Sequence, residues 1–238
     1  MNILIFNEGI HDKEENIKAV YPNGIHGALK ELMEEDGHNV TATTLDDVEE
    51  VITEELLKDT DVIFWWGHVG HHLVPQTVVD MVVKAVHCGT GFIALHSAHF
   101  SRPFKALTGS ACTLEWRDDE RERLWVAAPY HPITQGLPKK IEIEHEEMYS
   151  EPFDIPNPDE IIFIGWFAGG EVFRSGCTFH RGAGKIFYFQ PGHEEYPTYF
   201  NPHVRQILKN AANWAQRTVI REGIVAPHSL TPAEAERN

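Results

Sequence analysis

The sequence predicts an α/β fold: a mainly parallel sheet with helices on both faces, and additional strands in the C-terminal half. Three observations predict it. Short apolar runs alternate with segments of helical period as far as Leu107, the β-α-β-α order that builds a parallel sheet. The runs Asp61-Val-Ile-Phe-Trp-Trp66 and Phe92-Ile-Ala-Leu95 are apolar at successive positions, as strands buried on both faces require. Polar, proton-handling residues begin where these runs stop, and ligands of open α/β sheets sit at the carboxyl ends of strands.

In chain order, Ile3–Phe6 is the first strand, and Asn7-Glu-Gly-Ile-His11 leaves its carboxyl end. Glu8 and His11 therefore point towards the candidate site, although a solvated loop fits the same residues. Tyr21-Pro-Asn-Gly24 is a turn, after which Ile25, Leu29, Leu32 and Met33 keep helical spacing up to Gly37, with His26 in the first turn. Asn39–Thr43 is a second strand and Leu45–Leu57 an acidic helix. The third strand, ending at Trp66, runs into Gly67-His-Val-Gly-His-His72. The spacing of His68 and His71 is compatible with two ligands of one metal, without the helical geometry that makes H-E-x-x-H specific.

Pro75 opens a helix through Val86, and Cys88-Gly-Thr-Gly91 turns the chain into the central strand Phe92–Leu95. Ala94 and Ala98 stand two residues either side of His96. Small residues so placed let a strand turn sharply into a helix and expose the residue between them. His96 is then the elbow residue, with Ser97 beside it and His99 in the following turn; a core histidine at a helix start is the alternative.

Beyond Leu107, Cys112–Trp116 and Leu124–Ala127 read as strands separated by the charged segment Arg117–Arg123, and His131–Pro138 as a loop. In Ile141–Tyr149 a period of two puts His145, Glu147 and Tyr149 on one face and Glu144 and Glu146 on the other. Ile161–Phe167, Cys177–His180 and Lys185–Gln190 are further strands, with Arg181–Gly184 a hairpin turn. The last strand ends in Pro191-Gly-His-Glu-Glu195. Val204–Arg217 is the closing helix, with Val204, Ile207, Leu208, Ala211 and Trp214 inside. One domain over residues 1–217 is expected, and a tail over 218–238 that reaches a neighbouring subunit in a homo-oligomer.

Composition narrows the function. A chain of 238 residues with 42% hydrophobic and 24% charged residues is neither disordered nor fibrous. Twenty basic against 36 acidic residues, a formal charge of −16, repel polyanions, so neither nucleic acid nor an anionic membrane is an expected partner. Cys88, Cys112 and Cys177 show no C-x-x-C spacing, and the N-terminal residues lack a basic signal region, so a cytoplasmic protein is expected. Fifteen histidines remain as the anomaly, most of them near strand ends or in loops.

With His96 at the elbow and Gly-His-Glu-Glu after the last strand, the chain resembles the trehalose-utilisation (ThuA-like) family, whose fold is class I glutamine amidotransferase-like, a flavodoxin-like arrangement. The pieces that carry the resemblance are Trp65-Trp-Gly-His68 with His71, Leu95-His-Ser97, His131-Pro-Ile133, Glu146-Glu-Met-Tyr149, His180-Arg-Gly-Ala-Gly-Lys185 and Pro191-Gly-His-Glu194. Class I amidotransferases carry a cysteine at the elbow and a histidine and glutamate after the last strand. His193 and Glu195 resemble that pair, but His96 replaces the cysteine. Without a thiolate no glutamyl thioester forms, so the resemblance implies the fold and not glutaminase activity.

The resemblance also implies disaccharide catabolism beside an oxidoreductase that makes a 3-keto sugar. A carbonyl at C3 acidifies the hydrogen on C2, and the enediolate formed on its removal can expel the C1 substituent or isomerise. That chemistry needs a base of near-neutral pKa and a positive centre for the enediolate oxygen. His96, His193 and Glu147 are the expected catalytic residues, with His68, His71, His96 and His193 as ligands of a divalent metal, zinc. Glu8, His11, Ser97, His99, His145 and Tyr149 are expected to bind the sugar. Two other readings stay open: a metal-free acid-base enzyme, and a sugar-binding or regulatory protein without turnover.

Overall fold

The computed structural model describes residues 1–232. Strand and helix alternate through β1 (Asn2–Asn7), α1 (Glu15–Val20), α2 (Gly24–Glu35), β2 (Asn39–Thr43), α3 (Val48–Val51), α4 (Glu54–Asp59), β3 (Val62–Trp66), α5 (Gln76–Cys88), β4 (Gly91–Leu95) and α6 (Arg102–Thr108). The expected helix Leu45–Leu57 is thus two short ones. Thr53 interrupts it, because its Oγ1 accepts the Leu56 N–H at 3.2 Å and caps a new helix.

The second half contributes β5 (Glu115–Val126), β6 (Lys140–Ser150), β7 (Glu160–Phe167), β8 (Val172–Arg181), β9 (Gly184–Phe189) and α7 (Pro202–Ala215). The two expected strands around Arg117–Arg123 are one strand, β5. Its charges sit on rungs of the ladder: Arg123 and Arg121 bond Glu142 of β6 at 2.7 and 3.0 Å. Likewise β8 starts at Val172, five residues before the expected Cys177.

Among the described residues these strands form one sheet, in the order β2-β1-β3-β4-β9-β8-β7-β5-β6. Pairing is parallel from β2 to β9 and antiparallel from there outward. Alternate residues of each parallel strand feed two cores. Ile3, Ile5, Phe64, Ile93 and Phe187 pack with α2 and α7, while Leu4, Phe6, Ile63, Phe92 and Ile186 pack with α5 and α6 on the other face. No helix of the described residues is long and apolar enough to cross a membrane. Gln216–Pro232 carries no helix or strand, and 233–238, the end of the expected tail, lie outside the described residues.

Register decides where chemistry collects. Asn7 pairs with Trp66, Trp66 with Leu95 and Leu95 with Phe189, so β1, β3, β4 and β9 end on one level. The order reverses at β1, whose neighbours β2 and β3 lie on opposite sides, and the crevice at such a reversal is the usual ligand position. Bulges in the β5–β6 ribbon between Arg117 and Glu122 bend it, and its outer part reaches the same level: Gln190 Nε2 donates to the Glu147 carbonyl at 2.9 Å.

Candidate active site

At the end of β4 the backbone turns at His96 with φ 53°, a left-handed conformation that costs a non-glycine residue about 1 kcal/mol. Surrounding contacts hold it there. The ring is completely buried between Trp66 and Tyr149, stacked on them at centroid distances of 6.4 and 5.5 Å. Nδ1 lies 3.1 Å from the Gln190 carbonyl, to which it donates its hydrogen. Nε2 is left facing Glu147 Oε2 at 3.1 Å.

His68 comes from the loop after β3. Glu8 pins that loop, accepting the Val69 and Gly70 N–H groups at 2.9 and 2.8 Å. A Cβ at Gly70 would stand 2.6 Å from Ile10 Cδ1, the end of a side chain that would have to turn away. His68 Nδ1 donates to Glu194 Oε1 at 2.8 Å, and the same oxygen accepts Nδ1–H of His11. His68 Nε2 then lies 4.0 Å from Glu147 Oε2.

The loop after β9 carries His193 and Glu194. It is anchored by Glu146, a completely buried carboxylate that accepts from Gly192 N at 2.8 Å, His193 N at 3.3 Å and Thr198 Oγ1 at 2.5 Å. Gly192 has φ 136°, and a Cβ there would lie 2.0 Å from Tyr199 Oη. Its carbonyl accepts Trp66 Nε1–H at 3.0 Å. His193 Nδ1 accepts the Glu195 N–H at 3.2 Å, so in this geometry the neutral ring carries its hydrogen on Nε2.

The result is a group formed by His68, His96, Glu147 and His193 whose ligand atoms all lie within 4.8 Å of one another. Buried without a hydrogen-bond partner are His96 Nε2, Glu147 Oε2 and Glu194 Oε2. Such atoms fit a cation. His68 and His96 each spend Nδ1–H on a fixed acceptor and aim Nε2 inward, the arrangement that orients metal-binding imidazoles. Ligands about 2.0–2.1 Å from a tetrahedral ion stand about 3.3 Å apart, close to the His96–Glu147 spacing.

Electrostatics follow from the same packing. Burial lowers the pKa of His96, but the Glu147 carboxylate 3.1 Å away, which would accept a hydrogen bond from the charged ring, and the charges of Glu146 and Glu194 outweigh this and raise it to about 9. Burial would raise Glu147, and His96 together with His68 and His193 brings it below its ordinary value. Glu194 is held well below the carboxylate range because the N–H groups of His11 and His68 overcome its burial. Burial and the charge of His96 push His193 down to about 4, so it is neutral near pH 7.

A cavity of about 520 Å³ reaches His68 and Glu147 of this group, and with His71, Ser97, His99 and Tyr149 they line its inner end; His96 and His193 lie behind that lining. Ser97 Oγ and Tyr149 Oη are 2.6 Å apart, and burial keeps the phenol well above its ordinary pKa, hence neutral. Burial likewise lowers His99 to about 3 and His71 to about 4. His99 donates Nδ1–H to the Cys112 carbonyl at 2.8 Å.

Several expected residues lie elsewhere. His71 is outside the four-residue group: its ring packs by Phe100, and Glu147 stands in the group instead. His145 is exposed, 2.6 Å from Asp119, because period two fails in bulged β6, where Glu146 and Glu147 are both buried. Glu8 lies behind the loop it pins and does not line the cavity, and His11 lies behind His68. Glu195 is exposed and bonds Asn16, so the carboxylate turned inward is Glu194. The sequence reading gave no role to Glu146, Glu194 or Gln190, although Glu146 and Glu194 stand in the pieces that carry the family resemblance.

A family model described as trehalose utilisation, ThuA, matches residues 2–215. A ThuA-like protein of Parabacteroides merdae has a similar structure, with TM-score 0.68 and 17% identity over 94% of this chain and 92% of that one. A cytoplasmic protein of Salmonella typhimurium gives 0.65 at 11% identity, over 92% and 100%. A glutamine amidotransferase of Thermotoga maritima gives 0.55 at 8%, over 89% and 98%. At these identities the likeness is one of fold, a mainly parallel α/β sheet of the amidotransferase-like kind. No curated protein matches the sequence.

Proposed function

Because the chain belongs to the trehalose-utilisation family ThuA, we propose that it acts in disaccharide catabolism on a keto sugar, by enediolate chemistry at a divalent-metal site. The observation that carries this is the convergence of unpartnered buried atoms, His96 Nε2 and Glu147 Oε2, with His68 and His193 around them. An oxidoreductase that forms the carbonyl is the pathway partner this chemistry requires.

His68, His96 and Glu147 would hold the ion, with zinc the favoured one for imidazole and carboxylate donors. An ion held there would supply a Lewis acid for the substrate carbonyl. His193 moves the proton. It is neutral near pH 7, and shifting its hydrogen to Nδ1 frees the Nε2 lone pair to accept the proton from the carbon beside the carbonyl. That shift turns an N–H towards the Glu195 N–H 3.2 Å away, so the ring rotates off this contact as it makes the change. Glu194 Oε2, 3.8 Å from His193 Nε2, stabilises the imidazolium that results. Ser97, His99 and Tyr149 present neutral groups to sugar hydroxyls, and no lysine or arginine is among the residues lining the cavity, which suits an unphosphorylated sugar. The same enediolate leads to glycosidic cleavage or to isomerisation.

The experiment is to incubate the protein with 3-ketotrehalose in D2O and follow the hydrogen beside the carbonyl by NMR. Exchange for deuterium that is lost in His193→Ala supports the assignment. Turnover without exchange excludes an enediolate, and no exchange or turnover leaves the second reading, a metal-free sugar-binding or regulatory protein. One observation favours that reading: His96 and Glu147 can satisfy one another as an ion pair.

A further inference from the structure

The cavity has a second, chemically different end. Its rim is made by Val69, Phe100, Leu114, Trp116 and Asp118. Three of these are large apolar side chains left in water: Val69 is 50%, Phe100 41% and Trp116 61% exposed. Scattered singly such residues are ordinary, but here they gather on one rim, each tied to the site. Val69 follows His68 and Phe100 follows His99 in sequence. Trp116 faces Tyr149 across the β5–β6 ladder, so both side chains leave the same face of the ribbon. Tyr149 is buried against His96 at the floor while Trp116 stands open at the mouth.

An open indole beside a carboxylate is the chemistry that recognises a pyranose ring: the apolar C–H face of the sugar covers the aromatic face, and its equatorial hydroxyls donate to the acid. Phe100 serves as wall rather than platform, because Lys105 Nζ sits 4.0 Å over its ring. With the reacting ring held at the histidine cluster, a second ring joined through the glycosidic oxygen extends to the rim.

We propose that Trp116 is the platform of an outer subsite that binds the second, departing pyranose of a disaccharide, with Asp118 accepting its hydroxyls. This rests on the reading of the inner cluster as a sugar site. The outer subsite makes the protein select disaccharides over glycosides with a small C1 substituent.

The test compares binding of trehalose and of methyl α-glucoside, two non-reacting probes, to the whole protein by calorimetry. The wild type binds trehalose about tenfold more tightly, Trp116→Ala brings the ratio to about one, and Trp116→Phe restores most of it. A thermal midpoint unchanged in both variants separates lost contact from lost fold. The proposal is overturned if Trp116→Ala leaves the ratio intact, or if the wild type binds both probes alike or neither. An intact ratio effect without solvent exchange at the keto sugar would remove the enediolate chemistry and leave the subsite; exchange without a ratio effect would do the reverse.

Discussion

Nε2 of His96 stands 3.1 Å from Oε2 of Glu147, and neither buried atom has a hydrogen-bond partner. With Nδ1 committed to the Gln190 carbonyl, the neutral imidazole turns a lone pair towards a carboxylate lone pair. Two lone pairs at this distance repel unless a proton or a metal ion lies between them. The raised pKa of His96 and the lowered one of Glu147 describe the protonated arrangement, and the spacing of the two atoms suits the metal-bound one.

Glu194 fixes the tautomer of the neighbouring ligand His68, since its Oε1 accepts Nδ1–H of both His11 and His68. Glu194→Gln keeps the size and removes the charge. Zinc affinity of the demetallated variant, measured by competition with a chelating dye, is expected to fall about tenfold or more. The thermal midpoint of the metal-free protein should move far less than on mutation of a core residue.

Glu146 does for the β9 loop what Glu194 does for the histidines. Glu146→Gln exchanges an acceptor for an amide donor facing the Gly192 and His193 N–H groups. Urea denaturation should show a loss of about 1–3 kcal/mol. Hydrogen exchange should show faster opening at Gly192 and His193, with α2 protected as before.

Gly192→Ala tests the same loop sterically. The new Cβ would stand 2.0 Å from Tyr199 Oη at φ 136°, so the backbone or the tyrosine must move. A loss on the order of 3 kcal/mol in denaturation is expected.

β3, the turn at His96 and the polar run after β9 are legible, because an apolar run ending abruptly in histidines needs only local patterning to be recognised; the burial of His96, expected to be exposed at its elbow, comes from Trp66 and Tyr149, which the local sequence does not show. Glu147 was found for an incomplete reason: its strand was right, but regular alternation put Glu146 on the opposite face and His145 beside Glu147. The β5–β6 register shifts twice here, and the extra residue of β6 between Ile143 and Glu146 breaks the alternation with nothing local to announce it. Glu194 and Glu195 are equivalent as letters, and only the turn at Gly192 decides which enters. β5 was hidden because its charges are paired across rungs that a single strand does not show.

Glu122, inside that charged strand, gives a pH dependence. It is completely buried, its Oε1 accepts from Ser175 at 2.8 Å, and burial with the charge of Glu146 raises its pKa to about 8. The folded protein therefore keeps a proton that the unfolded chain releases above its ordinary pKa near 4.5. This contribution favours folding at low pH, declines as pH rises from about 4.5 to 8 and is constant above that. Glu122→Gln removes the decline. Between pH 5 and pH 8 its stability relative to wild type should rise by on the order of a few kcal/mol in urea titrations.

A metal site at His68, His96 and Glu147 is tested most directly by elemental analysis of protein purified without a histidine tag. Wild-type protein, His68→Ala and His96→Ala are compared after equilibration with zinc and removal of the excess. Near-stoichiometric zinc or another divalent ion in the wild type, lost in both variants, is the predicted result. Wild-type protein that holds no metal after reconstitution with zinc or manganese would contradict it.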